Sequence, residues 1–275
     1  MSLLTAEDQY RRAETFAALH TGPDAFVIAN AWDAGTAKIL TALGFPALAT
    51  TSAGIAHSLG HADGDITRDA SLTNSRTLVA ATHLPVAADL ESGFGATTRD
   101  IAETIRLAAD AGLVGGSIED AVAGKVIPLE LALERLTAAI EAARALPFKF
   151  TITARAENFL YNHDDLKDTI TRLQAFETAG ADVLYAPGLT TEQQIRTITS
   201  EVGKPVNVLA GGARLTATVA QLGEWGVRRI SLGSNLARVA LSAAVAAAKE
   251  VAERGTFEFA QGGVLAHGDI ERYFG

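Results

Sequence analysis

The chain alternates between two hydrophobic patterns. Short apolar runs of β type recur along its length, and they are separated by segments in which apolar residues return at helical spacing. Leu129, Leu133 and Leu136, for example, are three or four positions apart, as one face of an α-helix requires. The pattern predicts eight strands, which begin near Phe26, Pro46, Pro85, Val114, Phe148, Asp182, Pro205 and Arg228.

Strands that alternate with helices favour βα units and a parallel sheet. Eight such units within 275 residues favour closure into a (β/α)8 TIM-type barrel, an α/β fold, over a doubly wound sheet. No linker rich in Pro or Ser divides the chain, so residues 1–275 are predicted to form one domain. An N-terminal helix is predicted over residues 5–19. The aromatic side chains of a helical tail, residues 252–275, predict packing on the barrel or on a partner subunit.

Composition excludes several classes of protein. Hydrophobic residues make up 48% of the chain, enough for a large core, and the formal net charge of −9 leaves no basic surplus for a nucleic-acid partner. The absence of Cys excludes disulfides, thiolate metal ligands and a cysteine nucleophile. No apolar run approaches the ~20 residues of a membrane span, and the N-terminus lacks the order of a secretory signal. We therefore expect a cytoplasmic protein without a membrane partner.

Acidic side chains collect where the predicted strands end. Because successive strand residues point to opposite faces, Asp89 and Glu91 are expected to enter the barrel mouth together, where Glu119 of the next strand joins them. Three partly buried carboxylates cannot all ionise without a cation, and such oxygen ligands suit Mg²⁺ or Mn²⁺ completed by water. The alternative is internal neutralisation, in which Asp89 pairs with Arg155. Arg155 could also pair with Glu119 or Glu157.

Two further features suit an anionic ligand. Arg155 is predicted to point inward, and its planar guanidinium can hold a carboxylate through two hydrogen bonds, which a lysine cannot match. The segment from Thr50 to Gly54 follows the second strand, where a glycine turn could expose backbone N–H groups to an anion. Asn207, which stands between two valines, is expected to point inward as well.

Five sequence blocks occur in the same order as in a known family. The blocks are Ser52-Ala53-Gly54, residues 60–64 (GHADG), residues 89–95 (DLESGFG), Ile118-Glu119-Asp120 and Arg155-Ala156-Glu157. Together they resemble the phosphoenolpyruvate mutase and isocitrate lyase superfamily across nearly the whole chain. The resemblance implies a (β/α)8 barrel that breaks or forms a bond next to the carbonyl of a 2-oxo acid. It also implies that Mg²⁺ holds the oxygen that becomes an enolate.

The resemblance further implies roles for individual residues. Asp89 would be the principal metal-side carboxylate, with Glu91 and Glu119 acting directly or through water. Asp63 matches the acid of a family loop near the reacting atoms and is the candidate catalytic base. The substrate would be bound by Ser52, Ala53, Gly54 and Arg155, and by Asn207, which occupies a position that the family uses for substrate selection.

The loop after Glu119 departs from the family pattern. Isocitrate and methylisocitrate lyases carry a Cys in this loop that serves as an acid, whereas residues 119–127 read EDAVAGKVI. The loop therefore argues against both activities. Mutases and phosphonopyruvate hydrolases usually have Asn two residues after the loop lysine, where this chain has Ile127. Lys125 remains a candidate catalytic residue, and Gly124 a candidate hinge for closure of the loop as a lid.

Three functions remain open. The first is a Mg²⁺-dependent lyase that breaks a carbon–carbon bond of a small 2-oxo or 2-hydroxy dicarboxylate, by decarboxylation of an oxaloacetate-like acid or by cleavage of an alkylmalate. The second is phosphorus–carbon bond chemistry on phosphonopyruvate, and the third is a catalytically silent barrel that binds a metabolite. Because relatives exchange their last barrel helix between subunits, the resemblance also implies a homodimer or homotetramer.

Overall fold

The eight apolar runs form the eight parallel strands of a closed barrel in a computed structural model that describes residues 4–212 and 215–274. The strands are β1 (Phe26–Ala31), β2 (Ala47–Thr50), β3 (Val86–Asp89), β4 (Gly115–Glu119), β5 (Ala121–Val122), β6 (Lys125–Val126), β7 (Thr151–Arg155), β8 (Val183–Tyr185), β9 (Val206–Leu209) and β10 (Arg229–Ser231). Around the barrel they follow the order β1, β10, β9, β8, β7, β4, β3, β2, and β5 pairs with β6 in a separate antiparallel hairpin.

Helices connect the barrel strands and confirm the predicted (β/α)8 fold. The described residues also include two short 3-10 helices, Asn158–Tyr161 after β7 and Glu258–Gln261 before the last α-helix. The α-helices are α1 (Ala6–Thr21), α2 (Ala34–Ala42), α3 (Ser52–Ser58), α4 (Arg68–Ala81), α5 (Thr98–Asp110), α6 (Leu129–Arg144), α7 (Leu166–Ala179), α8 (Glu192–Glu201), α9 (Val219–Glu224), α10 (Asn235–Arg254) and α11 (His267–Glu271).

Local sequence signals fix where the helices begin and end. A capping box starts α5, since the side chains of Thr97 and Asp100 each accept a hydrogen bond from the other residue's backbone N–H. Asp33 and Thr36 form the same arrangement at α2. Gly180 ends α7 with φ of 102°, a left-handed conformation that glycine adopts without strain.

The main core lies between the barrel and its helices, and α1 closes the N-terminal end of the barrel. Ala13 and Phe16 of α1 are fully buried against the first residues of the strands. A Cβ on Gly115, at the start of β4, would lie 2.9 Å from the Phe16 ring, so a larger residue would push the helix away. The N-terminal helix thus acts as a plug, which leaves the opposite, C-terminal end of the barrel open.

The last long helix is exposed on most of its surface. Within α10 only Ala237 is buried, whereas Val239, Leu241 and Val245 are between 44% and 67% exposed. The tail returns to the barrel at its end, where the Phe274 ring lies against α2. No helix among the described residues is long and apolar enough to cross a membrane.

Candidate active site

A polar cavity of about 420 Å³ opens at the C-terminal end of the barrel. The segments that follow β2, β3, β4 and β7 supply its walls, as the fold predicts for a functional site. Five carboxylates face one guanidinium across it, so the cavity carries a surplus of negative charge. Its charged residues are Asp63, Asp89, Glu91, Glu119, Glu157 and Arg155.

Arg155 stands at the centre of this cavity and holds three carboxylates. Its Nη1 lies 3.1 Å from Asp89 Oδ1 and 2.9 Å from Glu119 Oε1, and its Nε lies 2.6 Å from Glu157 Oε1. The internal pairs that the sequence left open are therefore all formed. The guanidinium also lies over the Tyr185 ring, 5.0 Å from its centroid. Burial alone would lower the pKa of Arg155, but the three carboxylates outweigh it and raise that pKa above its usual value.

Asp89 is held in place by groups from β2, α3, β7 and the loop that follows its own strand. Its Oδ2 accepts a hydrogen bond of 2.9 Å from Ser52 Oγ, and its backbone N–H donates to Thr50 Oγ1, also at 2.9 Å. Its Oδ1 accepts from the Glu91 N–H at 3.3 Å in addition to Arg155. The carboxylate is therefore fixed before any ligand arrives, which lowers the entropic cost of binding one.

Glu91 reaches the cavity for a reason that differs from the predicted one. Strand β3 ends at Asp89, so strand alternation does not extend to Glu91, which has φ of 49° in the left-handed region. Arg135 of α6 holds this loop by donating to the carbonyls of Ser92 at 2.6 Å and Gly95 at 2.9 Å. A strained backbone kept at such a place is typical of functional sites.

The Glu91 carboxyl is a partly buried acid of the cavity. Its Oε1 is buried and has no hydrogen-bond partner among the described residues, and the same holds for Glu157 Oε2. Burial, together with the neighbouring Asp89 and Asp63 charges, raises the pKa of Glu91 to about 7 against the opposing effect of Arg155. Burial likewise raises the pKa of Glu119, against the opposing effect of Arg155. The cavity therefore favours either a bound proton or a bound cation.

A buried charged network supports the cavity from behind. The Glu157 N–H donates to Asp120 Oδ1 at 2.8 Å, and Arg172 Nη1 donates to Asp120 Oδ2 at 3.0 Å. The same Arg172 nitrogen donates to the Ile127 carbonyl at 3.0 Å. Because the Ile127 N–H in turn donates to the Asp120 carbonyl, both ends of the loop between them are fixed.

The loop after Glu119 is the β5–β6 hairpin, which the sequence pattern did not predict because each strand has two residues. Gly124 lies in the turn at the tip of the hairpin, with φ of 75°, and not at its base, so it is not placed as a hinge. Ala123 and Gly124 line the cavity, whereas Lys125 is exposed and is not among the lining residues. The structure thus does not bring Lys125 to the carboxylates.

The segment after β2 is the first turn of helix α3 and not the glycine turn expected from the sequence. Thr51 caps the helix by accepting from the Gly54 N–H at 3.4 Å, so that this donor is already used. Gly54 is required by close packing, since a Cβ there would lie 2.6 Å from Thr51 Cγ2. Of the predicted substrate residues in this segment, Ser52 lines the cavity, while Ala53 and Gly54 are buried behind it.

The remaining candidates lie at the rim and below the mouth. Asp63 lines the rim of the cavity and is exposed. Asn207 is fully buried inside the barrel, where its Nδ2 donates to Ser231 Oγ at 2.9 Å and its Oδ1 accepts from Arg229 Nε at 2.9 Å. Arg229 was not predicted as a site residue. Its signal was present in the sequence, since Arg229 and Ser231 flank Ile230 and therefore point inward together.

The cavity residues fit a divalent cation bound through few protein ligands. Within residues 4–212 and 215–274, no three Asp, Glu or His side chains form a ready-made metal cluster. Mg²⁺ usually binds through one or two carboxylates and keeps several waters, so it does not need such a cluster. The carboxylate surplus and the unpartnered Glu91 Oε1 are what a cation would neutralise.

Comparison with known proteins agrees with this fold and site. The family model described as phosphoenolpyruvate phosphomutase matches residues 16–252. The chain belongs to this family. The match confirms the resemblance to the phosphoenolpyruvate mutase and isocitrate lyase superfamily that the five sequence blocks carry.

Several members of the family are similar over most of their length. A crystal structure of a candidate lyase/mutase from Burkholderia cenocepacia J2315 is 53% identical, has a TM-score of 0.94, and the match covers 98% of this chain and 97% of that one. An uncharacterised Mycobacterium tuberculosis protein is 34% identical over 87% of this chain and 89% of its own. The 2-methylisocitrate lyase of Salmonella typhimurium is 30% identical over 71% and 69% of the two chains. The superfamily thus includes carbon–carbon lyases as well as mutases.

Proposed function

We propose that the protein is a Mg²⁺-dependent lyase that breaks a carbon–carbon bond of a small 2-oxo or 2-hydroxy dicarboxylate through an enolate. The observation that carries this proposal is the cavity in which five carboxylates surround Arg155 and leave Glu91 Oε1 without a partner. A divalent cation would balance those acids in place of bound protons, and the Arg155 guanidinium beside them would bind an anionic substrate. The lyase names among the relatives support this class of reaction.

Asp89, Glu91 and Glu119 are the residues proposed to hold Mg²⁺, directly or through water, and Mn²⁺ suits the same oxygen ligands. When bound, the dication supplies a Lewis acid for the substrate oxygen that gains negative charge. Asp89 is oriented for this role by Ser52 and by the Glu91 N–H. Glu91 would exchange a proton for the cation, because burial favours its neutral form in the free protein.

Arg155 is proposed to bind the substrate carboxylate. Its Nε and Nη1 are held by carboxylates, whereas its Nη2 makes no hydrogen bond to any described residue. Fixed on three sides, the guanidinium can offer Nη2 to the substrate without losing further side-chain freedom. The backbone N–H groups of Ser52 and Ala53, which lie in the first turn of α3, are the proposed additional donors. The Ser52 hydroxyl donates to Asp89 in the free protein, so it would bind the substrate only by giving up that hydrogen bond.

The protonation steps differ between the two lyase reactions. Decarboxylation of an oxaloacetate-like acid needs an electron sink and a later proton from water, so it needs no dedicated base. Cleavage of an alkylmalate needs a base for the 2-hydroxyl group, and Asp63 at the cavity rim is the proposed one. Lys125 would join the catalytic residues only through closure of the β5–β6 hairpin over the cavity, which also would exclude water.

Phosphorus–carbon bond chemistry on phosphonopyruvate is the second candidate, and the description of the matching family model favours it. The residue two positions after Lys125, which is Ile127, argues against this phosphorus–carbon chemistry. Ile127 packs against the core there, so that it offers no polar group to a phosphoryl oxygen. A catalytically silent barrel is the third candidate, but a scaffold would not need unlike charges that converge in one cavity.

A substrate panel tests the proposal. Pyruvate release from oxaloacetate and from alkylmalates is compared with phosphate release from phosphonopyruvate, each with Mg²⁺ and with EDTA. We expect pyruvate release that EDTA abolishes and added Mg²⁺ restores. Phosphate release alone would replace the lyase by the second candidate. No turnover, together with no rise in melting temperature on addition of Mg²⁺ and oxalate, would favour the silent barrel.

A homodimer or homotetramer is the proposed assembly. Helix α10 exposes apolar side chains along most of its length, which is costly for a helix that stays in water. A second copy of the chain would bury them. Light scattering of the purified protein at several concentrations measures the mass, and a monomer throughout would contradict this assembly.

A further inference from the structure

Four inward-pointing residues form a row across the barrel wall. Arg155 on β7 is paired with Tyr185 on β8, and Tyr185 with Asn207 on β9. Asn207 is paired in turn with Arg229 on β10. Barrel strands tilt by ~36° from the barrel axis, so a row of paired positions descends from one strand to the next. Arg155 therefore stands at the mouth, as the last residue of its strand, and Arg229 lies deeper, as the first residue of its strand.

Arg229 has only neutral partners within the described part of the chain. Its Nε donates to Asn207 Oδ1 and its Nη2 to Thr153 Oγ1, both at 2.9 Å, while its Nη1 lies 3.4 Å from His20 Nε2. His20 Nδ1 lies 2.8 Å from the Phe16 carbonyl, which can only accept, so Nδ1 carries the proton and Nε2 presents a lone pair to Arg229. Burial lowers the pKa of His20 to about 3, so this ring is neutral.

The charge on Arg229 is therefore uncompensated. Burial lowers the pKa of Arg229 to about 10, and the nearby Arg155 acts in the same direction, yet the guanidinium remains protonated at neutral pH. An unpaired buried charge destabilises a fold, and barrel interiors are usually filled by branched apolar side chains. Departures from such rules are expected where a residue serves a function. Two of the five guanidinium N–H groups are also left over after these three contacts.

A second cavity connects the two arginines. It lies inside the barrel, shares Asp89 and Arg155 with the cavity at the mouth, and is lined below by Asn207, Arg229 and Ser231. Its volume is about 70 Å³. Since one water needs ~10–15 Å³ of such volume, the space can hold a carboxylate group in place of several waters. A substrate bound at the mouth can thus extend toward Arg229.

We propose that Arg229 forms a second anion subsite, which binds the substrate carboxylate that lies farther from the metal-side acids. The inference rests on the proposed function, because it takes the first carboxylate to be held at the mouth by Arg155. A dicarboxylate satisfies both guanidinium groups at once, whereas a monocarboxylate leaves Arg229 unpaired. The subsite therefore selects dicarboxylates, and Asn207 orients Arg229 through its Oδ1.

Two unreactive probes test this subsite. Succinate and butyrate have similar length, but butyrate has a methyl group in place of one carboxylate. Their dissociation constants are measured by isothermal titration calorimetry in the presence of Mg²⁺. A charge-assisted pair predicts that succinate binds about 10- to 100-fold more tightly than butyrate. Equal affinities in the unchanged protein would overturn the proposal, and this comparison needs no variant.

Two consecutive arginines, Arg228 just before β10 and Arg229 at its start, provide a matched pair of variants. Arg229→Gln removes the charge and retains an amide donor, so it should weaken succinate binding to the level of butyrate and leave butyrate binding unchanged. Arg228→Gln is the control, because Arg228 is at the barrel exterior, where it donates to the Pro23 carbonyl. It should bind both probes as the unchanged protein does. Unaltered succinate binding by Arg229→Gln, or equal weakening of both probes, would overturn the proposal.

A second variant and the substrate panel distinguish failure of the proposed subsite from misfolding and from failure of the proposed function. If Arg229→Gln does not fold, as judged by circular dichroism, Arg229→Lys keeps the charge and should retain part of the preference for succinate. The proposed function fails separately if the substrate panel shows no carbon–carbon cleavage while succinate is still preferred. Conversely, unchanged KM values for dicarboxylate substrates in Arg229→Gln would remove the subsite and leave the lyase proposal intact.

Discussion

The two buried arginines of the barrel stand in opposite surroundings. Arg155, at the mouth, contacts three carboxylates, and the cavity around it contains more negative than positive charge. Arg229, deeper in the same barrel, contacts an amide, a hydroxyl and a neutral imidazole. The mouth therefore carries an excess of negative charge, and the interior carries an unpaired positive charge. A magnesium ion with a dicarboxylate would neutralise both.

The difference between the two arginines also indicates which residues serve turnover and which serve stability. Both sets of charges destabilise the free protein. The mouth buries like-charged carboxylates close together, and the interior buries the unpaired guanidinium of Arg229. The barrel can keep them because its apolar core between strands and helices is extensive and because α1 seals the opposite end. Changes at the mouth should therefore affect turnover strongly and folding little, whereas changes near α1 should affect folding.

The largest expected effect comes from Asp89→Ala at the mouth. Arg155 keeps Glu119 and Glu157 as partners in this variant, so the fold should be retained. Loss of the central metal-side carboxylate should lower Mg²⁺-dependent turnover by about a thousandfold or more, because the electrostatic stabilisation of the developing charge is lost. Steady-state kinetics with circular dichroism measures both properties.

Asp110→Asn is the control for Asp89→Ala, since Asp110 is an exposed acid that pairs with Arg106 on α5. It removes one negative charge far from the cavity and should leave turnover unchanged. Wild-type turnover in Asp89→Ala would contradict the assignment of this carboxylate, and with it the contrast between mouth and interior.

The barrel and most of the residues at its mouth could be predicted from the sequence. All eight barrel strands begin within three residues of the predicted apolar runs, because a strand buried on both faces must be apolar along its length. Strand alternation also placed Asp89, Glu119 and Arg155 on the inner face. Both the strand positions and the inward-pointing residues follow from the local spacing of apolar residues, which can be read directly from the sequence.

Other features depend on contacts that the sequence does not express. Glu91 itself has a left-handed backbone conformation, which directs its side chain into the cavity. Arg135, which is far away in sequence, holds the loop by donating to the Ser92 carbonyl. The β5–β6 hairpin is too short to show a period, so the sequence did not indicate that Gly124 would lie at the tip of a hairpin. Arg229 escaped prediction because a charged residue at the start of a strand is usually exposed, and only its position beside Ile230 indicates otherwise.

A second prediction concerns the interior, where His20 should make the fold sensitive to acid. Burial lowers the pKa of His20 from 6.5 to about 3, so the unfolded chain takes up this proton well before the folded protein does. Stability is therefore lost as pH falls below 6.5, by about 2–3 kcal/mol at pH 4.5. Urea unfolding of the unchanged protein and of His20→Gln measures this contribution.

His20→Gln is suited to the comparison because glutamine can still accept from Arg229 but does not titrate. Other acid-sensitive groups are the same in both proteins, so the difference between the two pH profiles isolates His20. Parallel profiles between pH 6.5 and pH 4.5 would show that the imidazole already carries a proton in the folded state, and the neutral surroundings of Arg229 would then be wrong.

The smallest effect is expected from Glu91, and its sign is opposite to that of His20. Burial raises the pKa of Glu91 from 4.5 to about 7, so the folded, metal-free protein keeps a proton that the unfolded chain has lost. Its contribution to stability is present below pH 4.5 and is lost as pH rises through 7. Because Glu91 is only partly buried, solvent screening reduces the size of this change.

Melting temperatures in EDTA between pH 5 and pH 8 test the sign for Glu91. The unchanged protein should lose stability relative to Glu91→Gln as pH rises, since the glutamine cannot ionise beside Asp89. Saturating Mg²⁺ should remove the difference in the unchanged protein by stabilising the ionised carboxylate. A metal-free protein that instead gains stability over Glu91→Gln with rising pH would mean that Arg155 already compensates the acids, and the mouth would then need no cation.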